Sequence, residues 1–136
     1  GTKGLKLAAS RGIGVVVMEP LMGGNLANPP EAVRTAMGKA ADHYSPADLA
    51  LKWIWNQPEV SLVLSGMSTM EQVVENLLSA DESAANSFGV DEQNAIDALR
   101  NSFSSRIAVP CTNCKYCLPC PHGVEIPVNF EFFNHA

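Results

Sequence analysis

Apolar residues come in two kinds of run along this chain: short blocks, and stretches spaced three or four apart. Ile13-Gly14-Val15-Val16-Val17-Met18 and Val60 to Leu64 are of the first kind. The first is rich in β-branched residues and shows no polar alternation, and the second is broken only by Ser61, which predicts buried strands, as in a parallel sheet. Glu19-Pro20 ends the first, and Leu21 to Pro29 follows as a loop carrying Gly23-Gly24. The second kind of run predicts helices. Lys3 to Ser10 reads as the end of a helix, stopped by a left-handed Gly12. Pro30 suits the first turn of a helix running to about Ala40. Ser45 as cap, Pro46 in the first position and Asp48 in a box-like pair open the next. Its apolar face is Leu49, Trp53 and Ile54, and Pro58 closes the segment. Ser68-Thr69-Met70-Glu71 reads as a capping box, opening a helix with Val73, Val74, Leu77 and Leu78 on one side. Asp91 starts the last helix, with Ile96, Leu99 and Phe103 as one face.

Strand, loop, helix, strand, loop, helix is the alternation of an α/β fold with a parallel sheet. Only two convincing strands are present, and two parallel strands form neither a closed barrel nor a stable doubly wound sheet. The chain therefore reads as a piece of something larger. Gly1 inside a helix-like pattern, and Ala136 after an aromatic segment without a stop signal, point the same way. No internal repeat and no low-complexity tract is visible.

With 136 residues, 46% of them hydrophobic and 17% charged, a packed core is expected, with room for one domain and an appendage. The net charge of −5 argues against nucleic acid, whose binding rests on neutralising phosphates. No apolar run approaches the roughly 20 residues that span a bilayer. Gly1 to Ser10 lacks the apolar region of a signal peptide. These features suggest a cytoplasmic, reducing setting.

The cysteine pattern changes the picture. All four cysteines of the chain, Cys111, Cys114, Cys117 and Cys120, lie within ten residues, with Pro121 next. A thiol at every third position suits an iron–sulfur cluster, in which each iron takes one thiolate. Three other uses stand beside it. Structural zinc sites usually hold two close pairs apart by a longer spacer, absent here. Disulfides belong to secreted, cysteine-dense scaffolds. Inert thiols are not spaced so regularly. In the bacterial ferredoxin run three residues precede the last cysteine, which serves a second cluster. Here only Leu118 and Pro119 intervene, so whether Cys120 binds the same cluster is open. His122 reads as a surface or supporting residue rather than a ligand. Phe130, Phe132 and Phe133 are expected to pack this segment against the rest of the protein or a partner.

Taken together these residues resemble the aldo/keto reductase family. Gly12 to Gly24 resembles the seventh strand of its barrel and the loop that follows. Ser45-Pro46-Ala47 with Leu49 to Trp53 resembles the next helix. Val63 to Ser68, continuing from Glu71 to Asn76, resembles the eighth strand and its cofactor-binding helix. Cys111 to Pro127 resembles the iron–sulfur extension of some bacterial and archaeal members. The likeness covers nearly the whole chain. It implies α/β architecture: the C-terminal βα units of a (β/α)8 TIM barrel (incomplete and helix-rich) over residues 1–106, plus a small loop-rich iron–sulfur segment over 107–136. A barrel takes about 200 residues or more, so roughly its last quarter would be here.

Several further expectations come with that resemblance. Such enzymes reduce carbonyls with NAD(P)H at the C-terminal mouth of the barrel. Their catalytic Tyr, Lys, Asp and His come from earlier strands, so no complete catalytic site is expected in this chain. Leu21, Gly23 and Gly24 would lie along the pyrophosphate, and Gly66 and Ser68 at the phosphate-favouring start of the last helix. Gln72, Glu75 and Asn76 would meet the adenosine half. No Lys or Arg stands from Gly66 to Ser68 or at Gln72, which argues against a preference for NADPH and leaves NADH or a weakened site open. Read without the resemblance, Gly23-Gly24 is an ordinary turn, Ser68 a cap and Glu75 a solvated helix residue. Gly12 and Gly14 precede their strand and so form no dinucleotide fingerprint.

Two functions follow. One is the C-terminal part of an oxidoreductase whose 4Fe-4S cluster passes single electrons to a redox partner protein. The other is a structural metal staple, iron–sulfur or zinc, or an interaction module without redox activity. The missing N-terminal barrel portion is the first partner expected. The isolated chain is expected to self-associate through open strand edges, and neither nucleic acid nor membrane is a predicted partner.

Overall fold

The computed structural model describes residues 1–111 and 114–135; Ala136, with the absent stop signal noted there, lies outside them. Among the described residues six helices and two short strands follow one another. They are α1 (Thr2–Ser10), β1 (Val16–Val17), α2 (Glu31–Thr35), α3 (Pro46–Trp55), β2 (Leu62–Val63), α4 (Met70–Asp81), α5 (Val90–Arg106) and α6 (Ile126–His135), with 3-10 turns at Met22–Gly24 and Gly38–Asp42. The chain divides into two compact units, Gly1–Leu99 and Arg100–Ala136.

Helix α1 ends as its sequence predicts. The Ile13 amide donates to Ala8 O at 3.0 Å and the Gly12 amide to Ala9 O at 2.9 Å, closing a Schellman motif with Gly12 at φ +69°. The chain then enters β1, which pairs with β2 in parallel, Val16 opposite Leu62 and Val17 opposite Val63. Val15 O accepts from both Ser61 N (2.9 Å) and Leu62 N (3.2 Å), and Leu64 N donates to Val17 O at 2.9 Å. The Ser61 hydroxyl takes the Val15 amide at 3.1 Å, extending the join beyond the ladder.

The parallel pairing agrees with the apolar blocks; the expected burial of the strands does not. Val16 is 53% exposed, Met18 73% and Leu62 47%. Among the described residues each strand pairs with one neighbour. The core lies instead among helices. Met37, Ala40, Leu49 and Ala95 form its buried centre, with Tyr44, Phe88, Ile96 and Leu99 packed around it. Leu49 and Val33 are fully buried and Leu51 nearly so. Burying each such side chain contributes roughly 1.5–3 kcal/mol.

Three helix expectations change. The helix predicted from Pro30 to Ala40 stops at Thr35 and resumes as the 3-10 turn Gly38–Asp42, because Gly38 takes φ +55° and breaks the ladder. The apolar side of α4 is not a buried face: Val74, Leu77 and Leu78 are 49%, 63% and 56% exposed, while Ser79 is the buried residue of that helix. Helix α4 turns Ser79 rather than its leucines inward, and the leucine side has no neighbour in this unit. Helix α5 is not the last, since α6 follows where a loop-rich segment was expected.

A polar network ties the helical core together. The Tyr44 hydroxyl donates to Glu92 Oε1 at 3.2 Å, and Glu92 Oε2 accepts the Gly89 amide at 3.0 Å at the start of α5. Lys52 Nζ lies 3.2 Å from Asp48 Oδ2 and 2.9 Å from Glu82 Oε2, bridging α3 to the end of α4, and sits 5.2 Å from the Tyr44 ring centroid. Asn56 anchors the next connection, accepting from Asn86 N through its carbonyl and from Phe88 N through its side chain. Burial, with the Glu92 hydrogen bond and charge, raises the Tyr44 pKa above 10.0. Burial alone would lower that of Lys52, but its bonds to Glu82 and Asp48 outweigh it, and the pKa rises above 10.5.

Both folded-state pKa values exceed the ordinary ones. The stability they contribute is therefore full below about pH 10 and lost as pH climbs through the raised values. Melting temperature should stay level up to about pH 9 and fall above pH 10, with part of that fall removed in Tyr44→Phe and Lys52→Met. Alkaline profiles of both variants identical to wild type would disprove the coupling.

Candidate functional site

Parallel pairing sends the chain out of β1 and β2 at the same edge of the sheet. The segment from Glu19 to Asn28 and the segment from Ser65 to Thr69 therefore start side by side. In α/β proteins this carboxyl edge is where ligands bind.

The first segment is a compact turn. Gly24 N and Leu26 N both donate to Leu21 O, at 3.0 and 3.1 Å, and the amides of Ala27 and Asn28 both donate to Gly24 O at 3.0 Å. Glu19, Met22, Gly23 and Gly24 have positive φ, reaching +95° at Gly24, where a side chain would be strained although the space beside it is open. Leu21 and Gly24 are half-buried and Gly23 is exposed. The amides of Met22, Gly24, Asn25, Leu26, Ala27 and Asn28 are all bonded within the turn, and what it leaves open is bare backbone at Gly23 and Gly24.

The second segment is organised by α4. Its N-cap is Thr69, not Ser68: the Thr69 hydroxyl accepts the Gln72 amide at 3.3 Å, and Gln72 Oε1 accepts the Thr69 amide at 3.3 Å. The sequence holds two overlapping boxes, Ser68 to Glu71 and Thr69 to Gln72, and the latter forms. Gln72 Oε1 also takes the Ser68 amide at 2.8 Å and the Ser68 hydroxyl at 3.2 Å. Asn76 Nδ2 donates to Ser65 Oγ at 3.1 Å, closing the loop from β2 onto α4. Gly66, Ser68, Gln72 and Glu75 are exposed and Asn76 is half-buried. The structure thus joins Ser68 and Gln72 and places Gly66 and Asn76 beside them, with Glu75 one residue before Asn76 on α4. Among the described residues no hydrogen bond links this group to the Leu21–Gly24 turn.

Gln72 and Asn76 spend polar atoms on loop structure, a use not apparent from their identity. Glu71 sits in the first turn, its pKa lowered by its own backbone amide and by the Thr69 hydroxyl. An anion there, with no Lys or Arg in the segment, offsets part of the attraction that a helix N-terminus holds for phosphate.

The cysteines lie in the second unit. Cys111, Cys114 and Cys117 are exposed and Cys120 is half-buried. Cys120 lines an open cavity of about 440 Å³ with Lys115, Leu118, Pro119, Gly123, Val124 and Glu125. Among the described residues no group of three or more His, Cys, Asp or Glu side chains is gathered to hold a metal. Four thiolates fit a cluster in donor chemistry and number; their arrangement here is open. Phe132 and Phe133 are 71% and 62% exposed and Phe130 36%, so none of the three is buried within this unit. Asn134, which sequence reasoning passed over, makes two hydrogen bonds to Val109. Its only sequence signal is an amide in an otherwise aromatic segment. His122 is exposed. Among the described residues no helix is long and apolar enough to cross a membrane.

Loss of the N-cap gives a direct check on the α4 loop. Thr69→Ala should cost about 1 kcal/mol of stability in urea denaturation, and Ser68→Ala clearly less. Equal costs would mean that the box is not built on Thr69.

Against this geometry, the aldo/keto reductase family model matches residues 2–100. No curated protein and no solved structure matches the chain. A match over that share of the residues shows that the chain belongs to the aldo/keto reductase family.

Proposed function

We propose that this chain is the C-terminal part of an aldo/keto-reductase-like oxidoreductase that carries a thiolate-bound 4Fe-4S cluster. The observation that carries the reading is the parallel β1–β2 pair inside the family-matched region, which opens two ligand-facing loops at one edge. Leu21, Gly23 and Gly24 lie along the cofactor pyrophosphate, where the bare glycines permit close backbone approach, Gly66 and Ser68 stand at the start of the last helix, and Gln72, Glu75 and Asn76 meet the adenosine half. The absence of cations in the second loop, with Glu71 beside it, favours NADH over NADPH. The catalytic Tyr, Lys, Asp and His belong to barrel strands outside this chain, so alone it does not reduce carbonyls.

Residues 107–136 form the metal segment, with Cys111, Cys114, Cys117 and Cys120 as ligands. A bound cluster supplies one-electron transfer, whereas a nicotinamide moves two electrons as hydride. A redox partner or a second cluster is therefore required to couple them. Protein prepared without oxygen should contain about four iron and four acid-labile sulfide per chain. Zinc in place of iron would reduce the segment to a structural staple; no metal at all would remove it from the reading.

The bare faces of β1, β2 and α4 belong to contacts with the N-terminal barrel portion, and in the isolated chain they drive self-association. Light scattering should show species larger than a monomer, shifted back towards monomer by Leu64→Lys with Leu77→Glu. A wild-type monomer across concentrations contradicts this.

A further inference from the structure

We propose that Asn134 is the positioning residue of the cysteine segment, holding its first ligand in register before any metal binds. This rests on the thiolate-bound metal reading above. Asn134 Oδ1 accepts the Val109 amide at 3.0 Å, and Asn134 Nδ2 donates to Val109 O at 2.8 Å. An amide side chain carries a donor and an acceptor side by side, so one residue's N–H and C=O are satisfied together. Val109 O accepts a second bond, from the Cys111 amide at 2.8 Å. Helix α6 is therefore linked through Asn134 and Val109 to the backbone of the first cysteine.

The last cysteine sits in a local turn ahead of the same helix. Cys120 O accepts the Gly123 amide at 3.0 Å, Val124 O accepts the Ile126 amide at 3.0 Å, and Glu125 O accepts the Asn129 amide at 3.1 Å and the Asn129 side chain at 2.9 Å. Cys120 is half-buried on the cavity wall, three residues before Gly123. Helix α6 is thus bonded to the backbone that leads into the first cysteine, while among the described residues no group of three or more ligand side chains is gathered. Gathering the ligands costs chain entropy. Fixing the backbone at the first cysteine beforehand lowers that cost. Cutting the link at Asn134 returns it, at the expense of metal affinity.

The test uses the full chain, stripped of metal and kept reduced. Affinity for cobalt(II) is read from thiolate-to-cobalt absorption against a competing chelator, and amide hydrogen exchange is followed at Val109. Wild type should protect the Val109 amide with and without metal. Asn134→Ala should lose that protection and bind cobalt about 10- to 100-fold more weakly, with Asn134→Gln between the two. Val109→Pro removes the same amide without touching α6 and should weaken cobalt binding likewise, which covers the case of an Asn134 variant that does not fold. Lost protection with unchanged affinity would make Asn134 merely structural and overturn the proposal. So would a Val109 amide that exchanges freely in metal-free wild type. Wild type that takes up neither cobalt nor an iron–sulfide cluster defeats the metal reading itself, and the proposal with it.

Discussion

The parallel pairing of β1 with β2 is the constraint on which the first unit depends. A parallel pair cannot be closed by a hairpin; it needs a crossover long enough to return the chain to its starting end. The 3-10 turns and helices α2 and α3 supply that crossover between Val17 and Leu62. The same constraint puts the Leu21–Gly24 turn and the Gly66–Asn76 loop at one edge, so what the family resemblance assigns to a cofactor falls on one side of the sheet. Antiparallel pairing of the same two segments would have sent the loops to opposite ends.

The packing is divided unevenly. Helices α3 and α5 and the Gly38–Asp42 turn hold the buried centre, reinforced by the Lys52 and Tyr44 bridges, while the sheet and the leucine side of α4 stay bare. Apolar blocks with no alternation are suited to strands covered on both faces. Their exposure here reflects the lack of neighbouring strands and a covering layer in this unit, not a sequence that prefers water. Polar bonds take over where packing ends. Gln72 and Asn76 hold the β2–α4 loop with side-chain bonds that need no core beneath them.

In the second unit the order of causes is reversed. There is little buried apolar surface: Pro127 is its one buried residue among those described. Local turns and the Asn134 bonds set the backbone, and a closed thiolate site would follow from metal binding rather than precede it.

The alternation of short β-branched blocks with capped helical patterns was enough to determine an α/β chain with parallel strands, the stop at Gly12 and the Ser45-Pro46 start of α3. These are local matters: backbone preference, capping chemistry and spacing are written in neighbouring residues. Other features were settled only in three dimensions. Overlapping caps at Ser68 and Thr69 have nearly equal local merit, so the helix register, through Ser79 packing and the Gln72 bonds, chose Thr69. Which residues of α4 lie inward here depended on the neighbours present in this unit. Helix α6 and the Asn134–Val109 link join positions 25 residues apart. Such a bond leaves no periodic trace in a sequence, because its energy depends on where the chain returns and not on what stands beside it.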